Sequence, residues 1–174
     1  MEHAYHLNKK NILIITIVII IIGLLGIFFF ISPDTFVSSF IRSKIFIKYI
    51  GLIISLSSIP FLIGHLMLLK DNYGLKITDQ GFVNNTNLTN VGIVYWADIT
   101  SIERKSLKVN SMLLVCVKNE EEYYSKIKNP LKKLNILIYR HSYGASFVIE
   151  PKNLIGSFEE IELTLQDHLK ERSS

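Results

Sequence analysis

Few residues of this chain could do chemistry: five histidines, one cysteine, and acids and lysines scattered over 174 residues. His3 and His6 are close enough in sequence to share a metal ion, but two ligands do not make a site. His141 and His168 have no cysteine or acid at ligand spacing. Cys116 lies in the apolar run SMLLVCVK, where a thiol reads as a small buried hydrophobe. A lone cysteine forms no internal disulfide. Asp98 is the one candidate catalytic acid, yet no carboxylate, histidine or lysine stands beside it to share the work. There is no glycine-rich phosphate loop, no G-x-S-x-G and no H-E-x-x-H. The expectation is a protein that is not an enzyme and has neither a cofactor nor a bound metal.

Binding chemistry is better represented. Lys126, Lys128, Lys132 and Lys133 form a basic cluster just behind Glu120, Glu121 and Glu122. Near an anionic lipid surface each lysine is worth about 1 kcal/mol; the alternative is a solvated helix face. The polar run NNTNLTN, residues 84–90, holds two N-x-T triplets to which no function is given.

The elements that carry these residues differ sharply along the chain. Residues 12–31, ILIITIVIIIIGLLGIFFFI, run uncharged for the length a helix needs to cross a bilayer. Lys9 and Lys10 precede the run, as in a signal peptide, but the run is long for an h-region and ends in FFFISPD without a small-x-small cleavage site. An uncleaved anchor is expected. Residues 49–69, YIGLIISLSSIPFLIGHLMLL, form a second, more polar span. Gly51, Ser55 and Ser58 fall on one helical face, and Gly23 and Gly26 offer the first helix a matching one, so close packing is expected. Pro60 is expected to kink the helix, with nearby serines satisfying the freed carbonyl. His65, the one histidine in either span, is close enough to Lys70 to reach headgroups. Between the spans, SPDTFVSSFIRSKIFIK reads as a stop followed by an interfacial amphipathic segment.

Charge follows the same division. Up to Asn72 there are six Lys/Arg against three acids; beyond it, thirteen against twelve. The basic excess flanks apolar segments, so it argues for lipid headgroups and topology and against nucleic acid. Two spans put both termini on one side, and the balance of lysines and arginines narrowly makes that side the cytoplasm.

From Tyr73 the texture becomes that of a soluble domain. Strands are expected over 73–78, 82–83, 92–96, 99–107 and 111–118, the last central because it is apolar on both faces. Helices follow over 119–128, capped by Asn119, and over 131–141, with Leu131, Leu134, Ile138 and Tyr139 on its inner face. A strand at 146–150 precedes a C-terminal amphipathic helix opened by the capping box Ser157-Phe-Glu-Glu160. A curved antiparallel sheet plugged by that helix would bury all these faces. Trp96 is expected to cap the sheet core, and Asp98 to cap the turn into the next strand.

The stretches LKITDQGFVNNTN, VGIVYWADITSIE and YGASFVIEPKNLIGSFEEIELTLQDHL resemble successive signatures of a largely uncharacterised family of small bacterial membrane proteins. In that family two N-terminal helices precede a pleckstrin-homology-like (PH-like) domain. Gly81, Gly92, Trp96, Asp98, Ile99, Pro130, Tyr143 and Gly144 match its pattern, and Ala145-Ser146 departs from the expected Thr-Pro. These motifs are structural, so the resemblance implies a fold and no activity.

The expected protein is thus a membrane α-hairpin over residues 1–72 joined to an α+β domain over 73–174, an antiparallel PH-like β-roll closed by a C-terminal helix. It would be integral to the bacterial cytoplasmic (inner) membrane, with the domain in the cytoplasm. As a binding or scaffold protein it would contact lipid headgroups or a protein partner, and a homo-oligomer is left open. The alternative is an immunity or envelope-stress protein acting against a membrane-targeted toxin.

Overall fold

The computed structural model describes residues 3–38, 42–106 and 111–173. The chain forms two compact units, one of residues 10–69 and one built from the segments on either side of it.

The first unit is a helical pair. Helix α1, Lys9–Ile31, and helix α2, Lys44–Lys70, are both long and apolar enough to cross a membrane. At 1.5 Å per residue they extend about 34 and 40 Å. Each starts earlier than its apolar run, because lysines continue a helical ladder as well as leucines do; hydrophobicity marks the lipid-compatible stretch and not the helix end. Residues 44–48, expected to lie in an interfacial segment, are therefore the first turn of α2, where the Ser43 hydroxyl accepts the Phe46 N–H at 3.3 Å. A 3-10 turn, Pro33–Phe36, follows α1 and packs Phe36 on Phe28 and Phe29. Lys44 pairs with Asp34 across the connection. Residues 39–41 lie outside the described residues.

The glycines do what their spacing suggested. A Cβ at Gly51 would stand 2.6 Å from the Gly26 carbonyl oxygen and 2.7 Å from the Phe30 nitrogen, so only glycine allows this approach. Ser55 and Ser58 face Gly26 and Gly23. The serines do not repair Pro60, however. Ser55, Ser57 and Ser58 donate to the carbonyls of Gly51, Ile54 and Ser55, whereas the carbonyl left without a helical donor by Pro60 is that of Leu56. Helix α2 runs on through the proline.

The second unit holds two antiparallel sheets. Strands β1 (His3–His6), β2 (Tyr73–Ile77), β3 (Gly81–Asn84) and β4 (Ile93–Tyr95) pair in that order. Strands β5 (Ile99–Ser106), β6 (Ser111–Val117) and β7 (Phe147–Ile149) form the other sheet, with β6 central. Between β6 and β7 come α3 (Glu120–Ser125) and α4 (Pro130–Tyr143); α5 (Phe158–Ser173) ends the chain. The imperfect alternation of β5 has a cause: its register to β6 shifts between Ile99 and Ser101, a bulge that turns the strand. Leu107 lies outside the described residues.

The boundary at residue 72 needs correcting. Residues 3–9 belong with this unit, since His3 pairs with Ile77 and His6 with Tyr73. The Leu7 N–H donates to the Asn72 carbonyl, and the Asn8 N–H to that of Asn153 at 2.7 Å. HAYH is too short and too polar to announce a strand; it becomes one because the edge of β2 offers unpaired backbone groups. Only two residues lie between β1 and α1, and two between α2 and β2.

Candidate functional site

Trp96 sits in a 3-10 turn, Trp96–Asp98, between the two sheets. It is 4% exposed, donates its indole N–H to the Thr78 carbonyl at 3.0 Å, and packs between Phe82 and His168. That is a core role. Gly81 is needed beside it, since a Cβ there would meet the Val94 carbonyl oxygen at 2.0 Å. Asp98 does something other than capping the next strand. Its carboxylate accepts the Tyr123 hydroxyl at 2.5 Å, and that hydroxyl accepts the Tyr95 N–H. Asp98 thereby docks α3 onto the end of β4. Burial, then the hydrogen bond to Asp98, push the Tyr123 phenol up to about 12.

The N-x-T triplets are a structural device. Asn84 accepts the N–H and hydroxyl of Thr86 on its side-chain oxygen, and Asn87 does the same for Thr89. Both side-chain amides then donate to one acceptor, the Val148 carbonyl, at 2.8 and 2.6 Å. Asn84, Thr86, Asn87 and Thr89 are all buried. The repeated i-to-i+2 clamp, a known habit of asparagine, pins the β3–β4 loop onto the middle of β7.

The four lysines do not act as one cluster. Lys126 pairs with Glu122 at 2.8 Å, and Lys132 donates to the Asn90 carbonyl at 3.3 Å. Lys133 lies over the Tyr124 ring at 5.2 Å, and Lys128 is exposed. The hydrogen bond to Glu122 raises the Lys126 pKa, so this amine stays charged. Exposed ion pairs of that kind contribute little to stability.

Helix α4 shows the largest departure from expectation. Asn129 and Pro130, which lie between the two expected helices, open it. The Asn129 side chain accepts the Leu131 N–H at 2.9 Å and the Lys132 N–H at 3.4 Å, and Pro130 takes the first helical position. Asn119, the expected cap of α3, makes no side-chain cap bond. Gly144 ends α4 after Tyr143 at φ +79°, a left-handed cap suited to glycine; Gly92 at φ +89° turns the chain into β4. The face turned to the sheet carries Ile136, Tyr139 and Tyr143, the two tyrosines packing against Met112, Leu114, Ala145 and Val148. Leu134 and Ile138, expected inside, are 55% and 51% exposed, and Leu137 is 45% exposed. Two apolar stripes compete in this sequence. The buried one carries Tyr139, which was expected inside and whose hydroxyl reaches Glu150 as the ring is buried, and it leaves Leu134 and Ile138 out. Burial, then the charge of Glu150, hold the Tyr139 phenol far above its ordinary value.

The histidines fall into structural places. His3 and His6 lie on β1, His3 edge-on to His168 and His6 against Tyr73. His65 is bonded to the Phe61 carbonyl in its own helix. Among the described residues no three His, Cys, Asp or Glu side chains gather as a metal site. Cys116 is half-buried. No known protein family, curated protein or solved structure matches this chain.

Proposed function

We propose that the protein is a membrane-anchored binding module: the helical pair spans the cytoplasmic membrane, and the α+β unit, a PH-like domain, presents a surface for lipid headgroups or a protein partner at the cytoplasmic face. The observation that carries this reading is the double attachment. Strand β1 precedes α1 and β2 follows α2 with two residues in each link. Two residues reach about 7 Å, so a membrane-spanning pair would keep the domain tethered at the membrane surface. A domain meant only to diffuse in solution gains nothing from such links. The PH-like assignment is supported by a four-stranded meander, a three-stranded meander and a closing C-terminal helix. Here the first strand would come from ahead of the membrane pair.

Lys128 and Lys133 are the better candidates for headgroup contact, with Lys126 and Lys132 already engaged within the domain. Photo-crosslinking from benzoylphenylalanine at Lys126, Lys128 and Lys133 of the full chain in cells tests this reading. Lipid or discrete protein adducts are expected; no adduct at any of the three overturns it. A C-terminal phosphatase fusion should be inactive and a green-fluorescent fusion bright, and the reverse moves the domain to the outer side.

A further inference from the structure

We infer that the outer face of α4, formed by Leu134, Leu137 and Ile138, lies in the interface of an anionic bilayer as a second, shallow membrane contact. The inference rests on the reading that the domain is held at a membrane. Leu134, Leu137 and Ile138 are spaced i, i+3 and i+4, so they form one stripe, and each is about half exposed. The helix beneath them has no aspartate or glutamate in fourteen residues; Lys133 and His141 supply positive or titratable charge beside the stripe, while Lys132 is bonded to the Asn90 carbonyl and Arg140 is paired with Glu120 and Glu121 of α3. An apolar stripe on a purely basic helix is the composition of an interfacial helix, in which leucines enter the acyl boundary and lysines meet lipid phosphates.

Position within the domain points the same way. Lys132 donates to the Asn90 carbonyl, the Asn90 side chain bonds that of Asn85, and Asn85 donates to the carbonyls of Tyr73 and Gly74. The start of α4 is thus joined through two asparagines to the first residues after α2. Ile155, 62% exposed, lies at that same end, its N–H bonded to the His6 carbonyl just before α1.

A second copy of the chain fits this face poorly. Three half-exposed aliphatic side chains offer on the order of 300 Å², an ordinary patch for a monomer. A stable dimer needs about 800 Å² from each partner. A bilayer has no such threshold here, because the helical pair already provides the anchor and the stripe adds to it within the same molecule.

The test uses the full chain in nanodiscs, with Cys116→Ala as background and a bimane label on Leu137→Cys, on Ile138→Cys, or on Glu103→Cys, an exposed site on β5. With brominated phosphatidylcholine and phosphatidylglycerol present, emission from both α4 sites is expected to be lost and that from residue 103 retained. In discs of phosphatidylcholine alone the loss is expected to shrink. Labels at 137 and 138 that stay as bright as at 103 overturn the inference while the anchor reading stands. Equal quenching with and without phosphatidylglycerol overturns its anionic-lipid part. Disulfide-linked dimers through unlabelled Leu137→Cys without quenching assign the face to a second copy and also overturn it. A chain that fails to enter nanodiscs and is extracted by carbonate overturns the anchor reading itself.

Discussion

Helix α5 turns Ile161 and Leu165 into the domain until neither has any exposed surface, and it carries Glu159, Glu160, Glu162, Asp167 and Glu171. Arg104 on β5 covers Phe158 at 4.3 Å and pairs with Glu159 and Glu162. Helix α4 has similar length and similar aliphatic content, yet it buries one aliphatic residue, Ile136, fully and leaves three others half exposed. It has no acid at all. The acids of α5 surround its one exposed leucine, Leu163, with charge, whereas the outer face of α4 sets three exposed aliphatic residues among lysines, Asn135 and an Arg140 paired with Glu120 and Glu121 of α3. One helix closes a core; the other is packed on a sheet by its tyrosines and keeps an apolar side free. The lesson is that an amphipathic pattern identifies a helix with a preferred face but does not identify what that face meets.

The comparison can be broken first at the α5 side. Trp96→Ala removes the ring on which His168 stacks, and truncation of a buried tryptophan costs about 3–5 kcal/mol. Circular-dichroism melts of the full chain in mild detergent should show the domain's transition collapse while helix content from α1 and α2 persists. An unchanged midpoint would mean that the α5 contact is not part of the core. Next comes Leu165→Ala, expected to cost about 2–5 kcal/mol because a fully buried leucine leaves a cavity. Trp96 fluorescence follows this melt directly, as it is the one tryptophan.

Tyr123→Phe lies between the two helices in sequence and in size of effect. It leaves the Asp98 carboxylate and the Tyr95 N–H without their shared partner, a loss of about 1–3 kcal/mol. It should also change the alkaline limb of stability. The Tyr123 pKa rises from 10.0 in the unfolded chain to about 12 in the folded one. The stabilisation it contributes is therefore fully present below pH 10 and is lost as pH climbs through 12. Denaturant titrations at pH 9 and pH 11 should show a smaller fall for the phenylalanine variant than for the parent; equal falls would remove Tyr123 as the cause.

The caps equalise the comparison. Ser157 accepts the Glu160 N–H at 3.1 Å, as Asn129 accepts that of Leu131. Ser157→Ala and Asn129→Ala should each cost about 1 kcal/mol in the same melts. Leu137→Ser, finally, should change domain stability in detergent by less than about 0.5 kcal/mol, as for an ordinary surface position. A cost like that of Leu165→Ala would show that the α4 face is covered within the domain and would erase the contrast.

Much of the local structure was legible in the residues. The apolar runs, the matching glycines and serines of the helical pair, the uneven alternation of β5, the central β6 and the capping box of α5 are each specified by neighbours within a few positions. Hydrogen-bond geometry and side-chain periodicity act at that range. The absence of acids from α4 was equally readable, as was the N-x-T repeat at a spacing of three, although the sequence named no acceptor for it.

What the tertiary structure alone decided are pairings between residues far apart in the chain. His3–His6 becomes a strand because β2, some seventy residues on, has a free edge. Asn84 and Asn87 share the Val148 carbonyl across more than sixty residues. Asp98 finds a partner in Tyr123 rather than in its own turn. Helix α4 could have buried Leu134 and Ile138 on its own pattern, and the available partners for Tyr139 and Tyr143 chose the other face. A local pattern fixes which side chains share a face; the free energy of burying that face depends on what the rest of the chain brings to it.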